Sequence, residues 1–419
     1  MNIKSTFFFT SIHTVIKILS GIIMNKIIAV YLGPSGLAMI GQFQNFVGII
    51  TGLSNASIQS GVVKYTAEYK EEKNALEIMM KNALLISIFF SFIISVFVYL
   101  FSNYLSLKIM FSSEYKNIFY FLSFSIIFYS LNLYVLSILN GLGEIKLFTL
   151  INILISIFTL IITSILTIFY KLEGALISIV AVQSIVFFIS YYLVRRKHKK
   201  IFFSINELIK NKDNKILLNL FKFSLASFSG GVIASLMMIS VRYLIESEIS
   251  LSMAGIWEGG WRMMIYFNMF FVLPFSIYYL PKISASKKYA EIKSYLFEAY
   301  KFLIPLSLLM AFIIFYFKHE VVIGLFSIDF IEIENIILYL LIAEIIRILG
   351  NTISIVFLAK IKIYSIIFIE LLFASSMLLS SYYFVDIYGI IGISYGYIIA
   401  TSIFLTVYVY KFKMIKGKL

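Results

Sequence analysis

The sequence predicts an all-α polytopic membrane protein of about twelve transmembrane helices in two pseudo-symmetric six-helix bundles. Three observations carry that prediction. Of 419 residues, 61% are hydrophobic and only 13% charged, with a mean hydropathy of +0.97, which leaves too little polar surface for a soluble chain of this size. Apolar stretches of about twenty residues, the length that crosses roughly 30 Å of hydrocarbon, succeed one another along the chain. The two halves also repeat short motifs at a common spacing.

The first six spans are expected near 6–31, 37–62, 80–101, 117–140, 145–169 and 174–194. The second six are expected near 220–245, 251–280, 296–317, 335–359, 363–384 and 389–410. Gly33-Pro34 supplies turn chemistry between the first two. The domains are then an N-terminal bundle (1–194), a basic cytoplasmic linker (195–219) and a C-terminal bundle (220–419), with no room for a soluble domain. Ile3 to Ala29 is too long and too polar for a signal-peptide core, and no A-x-A-like site follows it, so no cleavable signal peptide is expected. The absence of cysteine excludes disulfides and thiolate chemistry. His13 and His198 lack metal-ligand spacing, Gly141-x-Gly143 is too short for a nucleotide motif, and there is no G-x-x-x-x-G-K-[ST] loop. No metal, no cofactor and no ATP hydrolysis by that route are expected.

A net charge of +14 would suggest nucleic acid in a soluble protein. Here the charges follow the connections between spans. With the N-terminus inside, cytoplasmic segments hold 26 Lys and Arg, nine of them between Arg195 and Lys222. The other side holds only Lys108, Lys116, Lys171 and Lys318. That bias obeys the positive-inside rule with both termini cytoplasmic. The loop charges therefore orient the protein, and no nucleic-acid partner is expected.

Five cations fall within spans: Lys17, Lys26, Arg242, Arg262 and Arg347. Three acids join them: Glu258, Glu344 and Glu370. A charge at a helix centre costs about 2.5–3.5 kcal/mol on insertion scales, so such residues face a partner or a watery cavity. Internal pairing leaves a positive excess, which suits an anionic substrate. Glu344, Arg347, Asn351 and Ser354 share one face of the tenth span, and Glu258, Trp261 and Arg262 one face of the eighth. Gln42, Asn45, Gly52, Asn55 and Gln59 line the second span, and His13, Lys17, Ser20 and Met24 the first. Other readings stay open. Glu258 and Arg262, in the favourable i, i+4 order, make a structural ion pair, and Lys26 or Arg242 snorkels to an interface. Trp257 and Trp261, the only tryptophans, stack on sugar rings or serve packing. His319 is a lone exposed histidine, and Pro274 and Pro305 are candidate kinks.

The repeat is an independent line. Glu144-Ile145-Lys146-Leu147-Phe148-Thr149 resembles Lys360-Ile361-Lys362-Ile363-Tyr364-Ser365 at an offset of 216, and Ala38 to Gln42 resembles Ala254 to Glu258 at the same offset. Tyr170 to Gly174 resembles Tyr388 to Gly392 at 218. Six spans per half is an even number, so the halves are parallel repeats, and a site is expected where they meet.

The stretches Val15-Ile16-Lys17-Ile18 and Lys26 to Leu37, Val62-Val63-Lys64-Tyr65, Gly255-Ile256-Trp257, Tyr279-Leu280-Pro281, Glu344-x-x-Arg347 and Leu358-Ala359-Lys360 with Glu370 resemble Wzx-type O-antigen and polysaccharide flippases. These belong to the superfamily of multidrug, oligosaccharidyl-lipid and polysaccharide exporters. The resemblance covers nearly the whole chain. It implies a multi-pass protein of the bacterial inner membrane that flips an undecaprenyl-diphosphate-linked glycan, destined for lipopolysaccharide O-antigen or another surface polysaccharide, through a central cationic cavity. A polysaccharide polymerase and assembly proteins would be its partners. Lys17, Arg242, Arg262 and Arg347 would hold the diphosphate or acidic sugars, with Lys26, Trp261, Asn45 and Asn351 also on the substrate side. Glu258, Glu344 and Glu370 would serve coupling or ion pairing. Two alternatives remain at this point: a cation-coupled multidrug exporter of the same superfamily, and a membrane polymerase or acyltransferase. The first sits poorly with surplus intramembrane cations, the second with a longest outer loop of only about Lys318 to Glu334.

Overall fold

The computed structural model describes residues 3–197, 201–203, 214–286 and 288–415. Most of the expected linker, with Lys199, Lys200, Lys210 and Lys212, lies outside the described residues, as do His198, Lys287, Lys416 and Lys418. In hydrocarbon every backbone N–H and C=O must be paired inside the chain, and a helix pairs them within one segment, so even Ile-rich stretches become helical here. The helices are α1 (Ile3–Ser54), α2 (Gln59–Glu68), α3 (Lys73–Leu100), α4 (Ser102–Met110), α5 (Lys116–Gly141), α6 (Ile145–Lys197) and α7 (Asn214–Glu248). They continue as α8 (Leu251–Ala285), α9 (Tyr289–Tyr316), α10 (Lys318–Leu325), α11 (Ile333–Ala359), α12 (Ile363–Tyr388) and α13 (Ile390–Ile415), with 3₁₀ turns at Ser113–Tyr115 and Ile328–Phe330.

Among the described residues nine helices are long and apolar enough to cross a membrane, and α8 makes a tenth when its 42° bend is counted within one span. α1 and α6, at 52 and 53 residues, break at Gly33 and Lys171 and are long enough for two crossings apiece. Counted in this way, the described residues have the length for twelve crossings. Some polar residues inside spans satisfy themselves locally: the hydroxyls of Thr51, Ser137 and Thr352 each donate to the carbonyl four residues back at 2.8 Å. Others knit helices together, as where the Ser87 hydroxyl donates to Asn55 Oδ1 at 2.7 Å.

The chain divides into two compact units, Met1–Tyr31 with Met39–Val232, and Leu32–Ala38 with Ile233–Leu419. Each unit repeats one series of elements. α3 and α9 are both 28 residues long and start at Lys73 and Tyr289, an offset of 216. The short helices α4 and α10 follow at the same offset.

Three expectations are corrected. The second span ends at Ser54, because Ala56 and Ser57 take positive φ (44° and 49°) and turn the chain, so Gln59 opens the separate helix α2 and leaves the polar stripe. The helix boundary after α5 and α11 matches at 218, not 216: Gly143 and Ile361 both have positive φ (73° and 55°). Glu144 N–H bonds to the Leu139 carbonyl as Lys362 N–H bonds to Phe357. Added residues between α10 and α11 shift the register, in the kind of short connection where length is cheap. Glu144 therefore pairs with Lys362, not with Lys360. Of the two candidate kinks, α8 bends between Ser276 and Tyr278, just after Pro274, while α9 runs on across Pro305.

Candidate functional site

In the second unit, α8 starts from Ser250, whose hydroxyl accepts from Met253 N–H at 3.2 Å, a standard N-terminal cap. That start sets the helical phase which lines up Glu258, Trp261, Arg262, Ile265 and Asn268 along the helix. The buried Glu258 carboxylate offers one oxygen to each of two guanidiniums. Arg242 Nη1 of α7 donates to Oε2, and Arg262 Nε donates to Oε1 at 2.7 Å. All three side chains are buried, Arg242 to 1% exposure, so Arg242 does not snorkel to an interface. The i, i+4 pair expected on α8 is one half of a three-charge bridge between helices.

A cavity of about 210 Å³ lies one to two turns further along α8, lined by Trp261, Asn268, Glu344, Arg347, Asn351 and Tyr397 together with apolar residues of α8. The buried Glu344 carboxylate accepts from Asn268 Nδ2 and from the Tyr397 hydroxyl. The Arg347 guanidinium lies 4.2 Å from the Phe373 ring centre and 5.6 Å from that of Phe404, and its buried Nη1 has no hydrogen-bond partner. An ion seated on aromatic faces with a donor to spare is suited to an anionic or hydroxylated group entering the cavity. Trp261 presents a ring beside it, 5.2 Å from Tyr397 and 6.2 Å from Trp257. Trp257 itself is fully buried and packs.

The structure thus brings Trp261, Glu344, Arg347 and Asn351 to one cavity and places Arg242, Glu258 and Arg262 in a separate bridge. Glu370, half-buried on α12, interacts electrostatically with Arg347. The sequence reading missed Asn268 and Tyr397. Neither is charged, and the only signal for Asn268 is its place on the Glu258–Trp261 face.

The three span arginines of this unit are matched by its three span acids, so the positive excess resides in α1 of the first unit. There Lys17 is exposed and Lys26 half-buried with a partner of its own. Asn45 donates to the Gly41 carbonyl at 3.1 Å, within its own helix. The first unit has its own cavity of about 210 Å³, lined by Gln44, Tyr129, Thr163, Ser178 and Gln183 among others. Tyr129 stands 218 residues before Arg347 and Ile179 218 before Tyr397, so the two cavities occupy equivalent places in the repeat. One is charged and the other is neutral and polar. Among the described residues no group of His, Cys, Asp and Glu could hold a metal ion.

The sequence profile described as "Polysaccharide biosynthesis protein" matches residues 3–287. The chain is 20% identical over 403 residues, 95% of each chain, to the lipid III flippase of Escherichia coli (strain K12), and equally to that of Shigella flexneri. An inward-facing multidrug resistance MATE family transporter of the MOP superfamily superposes with a TM-score of 0.81 at 16% identity, over 98% of this chain and 99% of that one. A MOP superfamily transporter from Pyrococcus furiosus, described as having a binding pocket of reverse polarity, gives 0.69 at 15% identity over 97% and 94%. At such identities these structures share the fold, an all-α multi-pass architecture.

Proposed function

The chain belongs to the polysaccharide biosynthesis protein family, and we propose that it is a flippase for an undecaprenyl-diphosphate-linked oligosaccharide. Its cargo on this reading is an O-antigen or other surface-polysaccharide repeat unit, moved from the cytoplasmic to the periplasmic leaflet of the bacterial inner membrane. It is accordingly a transporter and not an enzyme, with both termini cytoplasmic, and it hands its cargo to a polymerase and assembly proteins. The observation that carries the reading is the likeness to lipid III flippases along 95% of both chains, together with the family match.

The residues suit that job. A diphosphate and its sugars cannot cross hydrocarbon unaided, whereas a polyprenyl tail can stay in lipid. The protein need only offer a polar path whose donors replace water. Arg347, with an uncommitted buried Nη1, is the donor we assign to an acidic or hydroxyl group of the cargo, and Trp261 is the ring we assign to sugar stacking. Lys17, one of the two cations within the spans of α1, is our candidate for the diphosphate. Alternating access then moves the path from one side to the other. The Glu344 carboxyl accepts from two neutral donors, Asn268 and Tyr397, inside the same cavity, which makes it our candidate for exchanging a proton or cation during the cycle. Export of negative charge is favoured in addition by a potential negative inside, about 2.3 kcal/mol per charge per 100 mV.

The test is leaflet transfer of a fluorescent undecaprenyl-diphosphate oligosaccharide in reconstituted liposomes. Wild type is expected to transfer it, while Arg347→Ala and Lys17→Ala each slow transfer by roughly tenfold or more at unchanged folding. Glu344→Gln is expected to abolish the dependence of transfer on an imposed ion gradient. If no such substrate moves and a cationic dye is instead expelled against a proton or sodium gradient, the multidrug-exporter reading replaces this one.

A further inference from the structure

Lys171 occupies a backbone position that the repeat fills with glycine. At the turn inside α6, Lys171 has φ 51 and ψ −134, and at the equivalent turn between α12 and α13, Gly389 has φ 58 and ψ −135. The two turns close in the same way: a Cβ on Gly174 would lie 2.1 Å from the Leu166 carbonyl oxygen, and one on Gly392 2.2 Å from that of Phe384. For a residue with a Cβ this φ, ψ combination is unfavourable, and for glycine it is free. Phe111 also has positive φ, but with ψ 10 it sits in the ordinary left-handed well.

The chain therefore bears a backbone cost that glycine would remove, and it does so for a lysine. That lysine lies among the four basic residues expected on the sparsely charged side. Its ammonium is 5.2 Å from the centre of the Tyr31 ring, beside the break in α1, and Tyr31 is 41% exposed. Among the described residues Lys171 has no carboxylate within ion-pair distance. A ring face occupies one side of the ammonium, and Lys171 is exposed, which leaves N–H donors for another group.

We infer that Lys171 is a substrate contact: its ammonium, held over Tyr31 at one end of the first unit, receives a phosphate or carboxylate of the lipid-linked cargo. This rests on the flippase reading. The same chemistry is offered by anionic phospholipid headgroups, so the test separates the two sources.

Wild type, Lys171→Gly, Lys171→Ala and Lys171→Arg are reconstituted in phosphatidylcholine alone and with added anionic phospholipid, using the same fluorescent substrate. Lys171→Gly is expected to unfold at a higher temperature than wild type yet to flip about fivefold more slowly in phosphatidylcholine, the effect of one lysine–phosphate contact. Lys171→Ala slows flipping equally without the gain in stability, and Lys171→Arg stays near wild type. Lys171→Gly flipping at the wild-type rate overturns the inference. So does Lys171→Arg as slow as glycine, or a defect confined to liposomes with anionic phospholipid. If wild type itself moves no substrate, the flippase reading fails, and inorganic diphosphate decides the rest. Stabilisation of wild type that is lost in Lys171→Gly keeps the anion contact, and equal stabilisation of both overturns it.

Discussion

Glu258 bridges two guanidiniums with its two oxygens, and the energetics of such a triad separate structure from transport. Removing one partner of a buried ion pair strands the other charge and costs about 3–5 kcal/mol, whereas replacing all the charges with apolar groups of similar volume is often neutral or stabilising. Arg242→Met alone is thus expected to lower the unfolding temperature markedly, and Arg242→Met with Glu258→Leu and Arg262→Met to restore it. Circular dichroism melts in detergent read both. If the triple variant regains stability and still flips substrate, the bridge is purely architectural; if it regains stability and loses transport, the charges serve the cargo. The sequence made this triad half legible. Glu258 and Arg262 are neighbours on one helix face, so their pairing follows from spacing, but Arg242 reaches them from another helix, and no periodicity encodes that contact. Asn268 and Tyr397 escaped for a different reason: a neutral side chain within a span carries no insertion penalty large enough to stand out.

Helix breaks are the best-encoded elements of the chain, since each needs particular residues. Gly33 has φ 63 and ψ −170, a conformation open to glycine and followed by a proline that cannot supply a helical N–H. A Cβ there would meet nothing within 4 Å, so Gly33→Ala tests backbone strain alone and is expected to cost about 1–3 kcal/mol. Gly255 is the opposite case. Its own backbone is helical, but a Cβ would fall 1.8 Å from the Pro34 carbonyl oxygen, so Gly255→Ala must push α8 away from the break in α1. That cost is steric, also of about 1–3 kcal/mol or more. Chemical denaturation of both variants checks the pair, and an unchanged Gly255→Ala would mean that the two segments do not touch. Breaks without such markers were less visible. The second span reads as apolar through residue 62, yet it stops at Ser54, because Ala56 and Ser57 turn the chain with residues that hydropathy counts as span. The repeat register was likewise legible in motifs but not in its two-residue drift, which only the matched turns at Gly143 and Ile361 fix.

For the whole molecule, charge bias and span count yield a topology that the fold alone leaves open. If each half makes six crossings, the halves are parallel repeats, and equivalent connections emerge on the same side. On the orientation proposed from the scarcity of Lys and Arg around the two 3₁₀ turns, that side is the outer one. An inverted repeat would send the turns to opposite sides. The chain contains no cysteine, so single cysteines report without background. Ser113→Cys and Asp329→Cys, exposed at the two turns, are expected to react with a membrane-impermeant maleimide in intact cells. Glu68→Cys at the end of α2 and Ser284→Cys near the end of α8, also exposed, are expected to react only after lysis. Each residue lies outside the cavities and the ion bridge, so the variants should fold and express normally, which total labelling in detergent verifies. Labelling of one turn but not the other in intact cells would break the parallel repeat. Labelling of both turns only after lysis would keep the repeat and reverse the orientation, and with it the direction in which the proposed cargo travels.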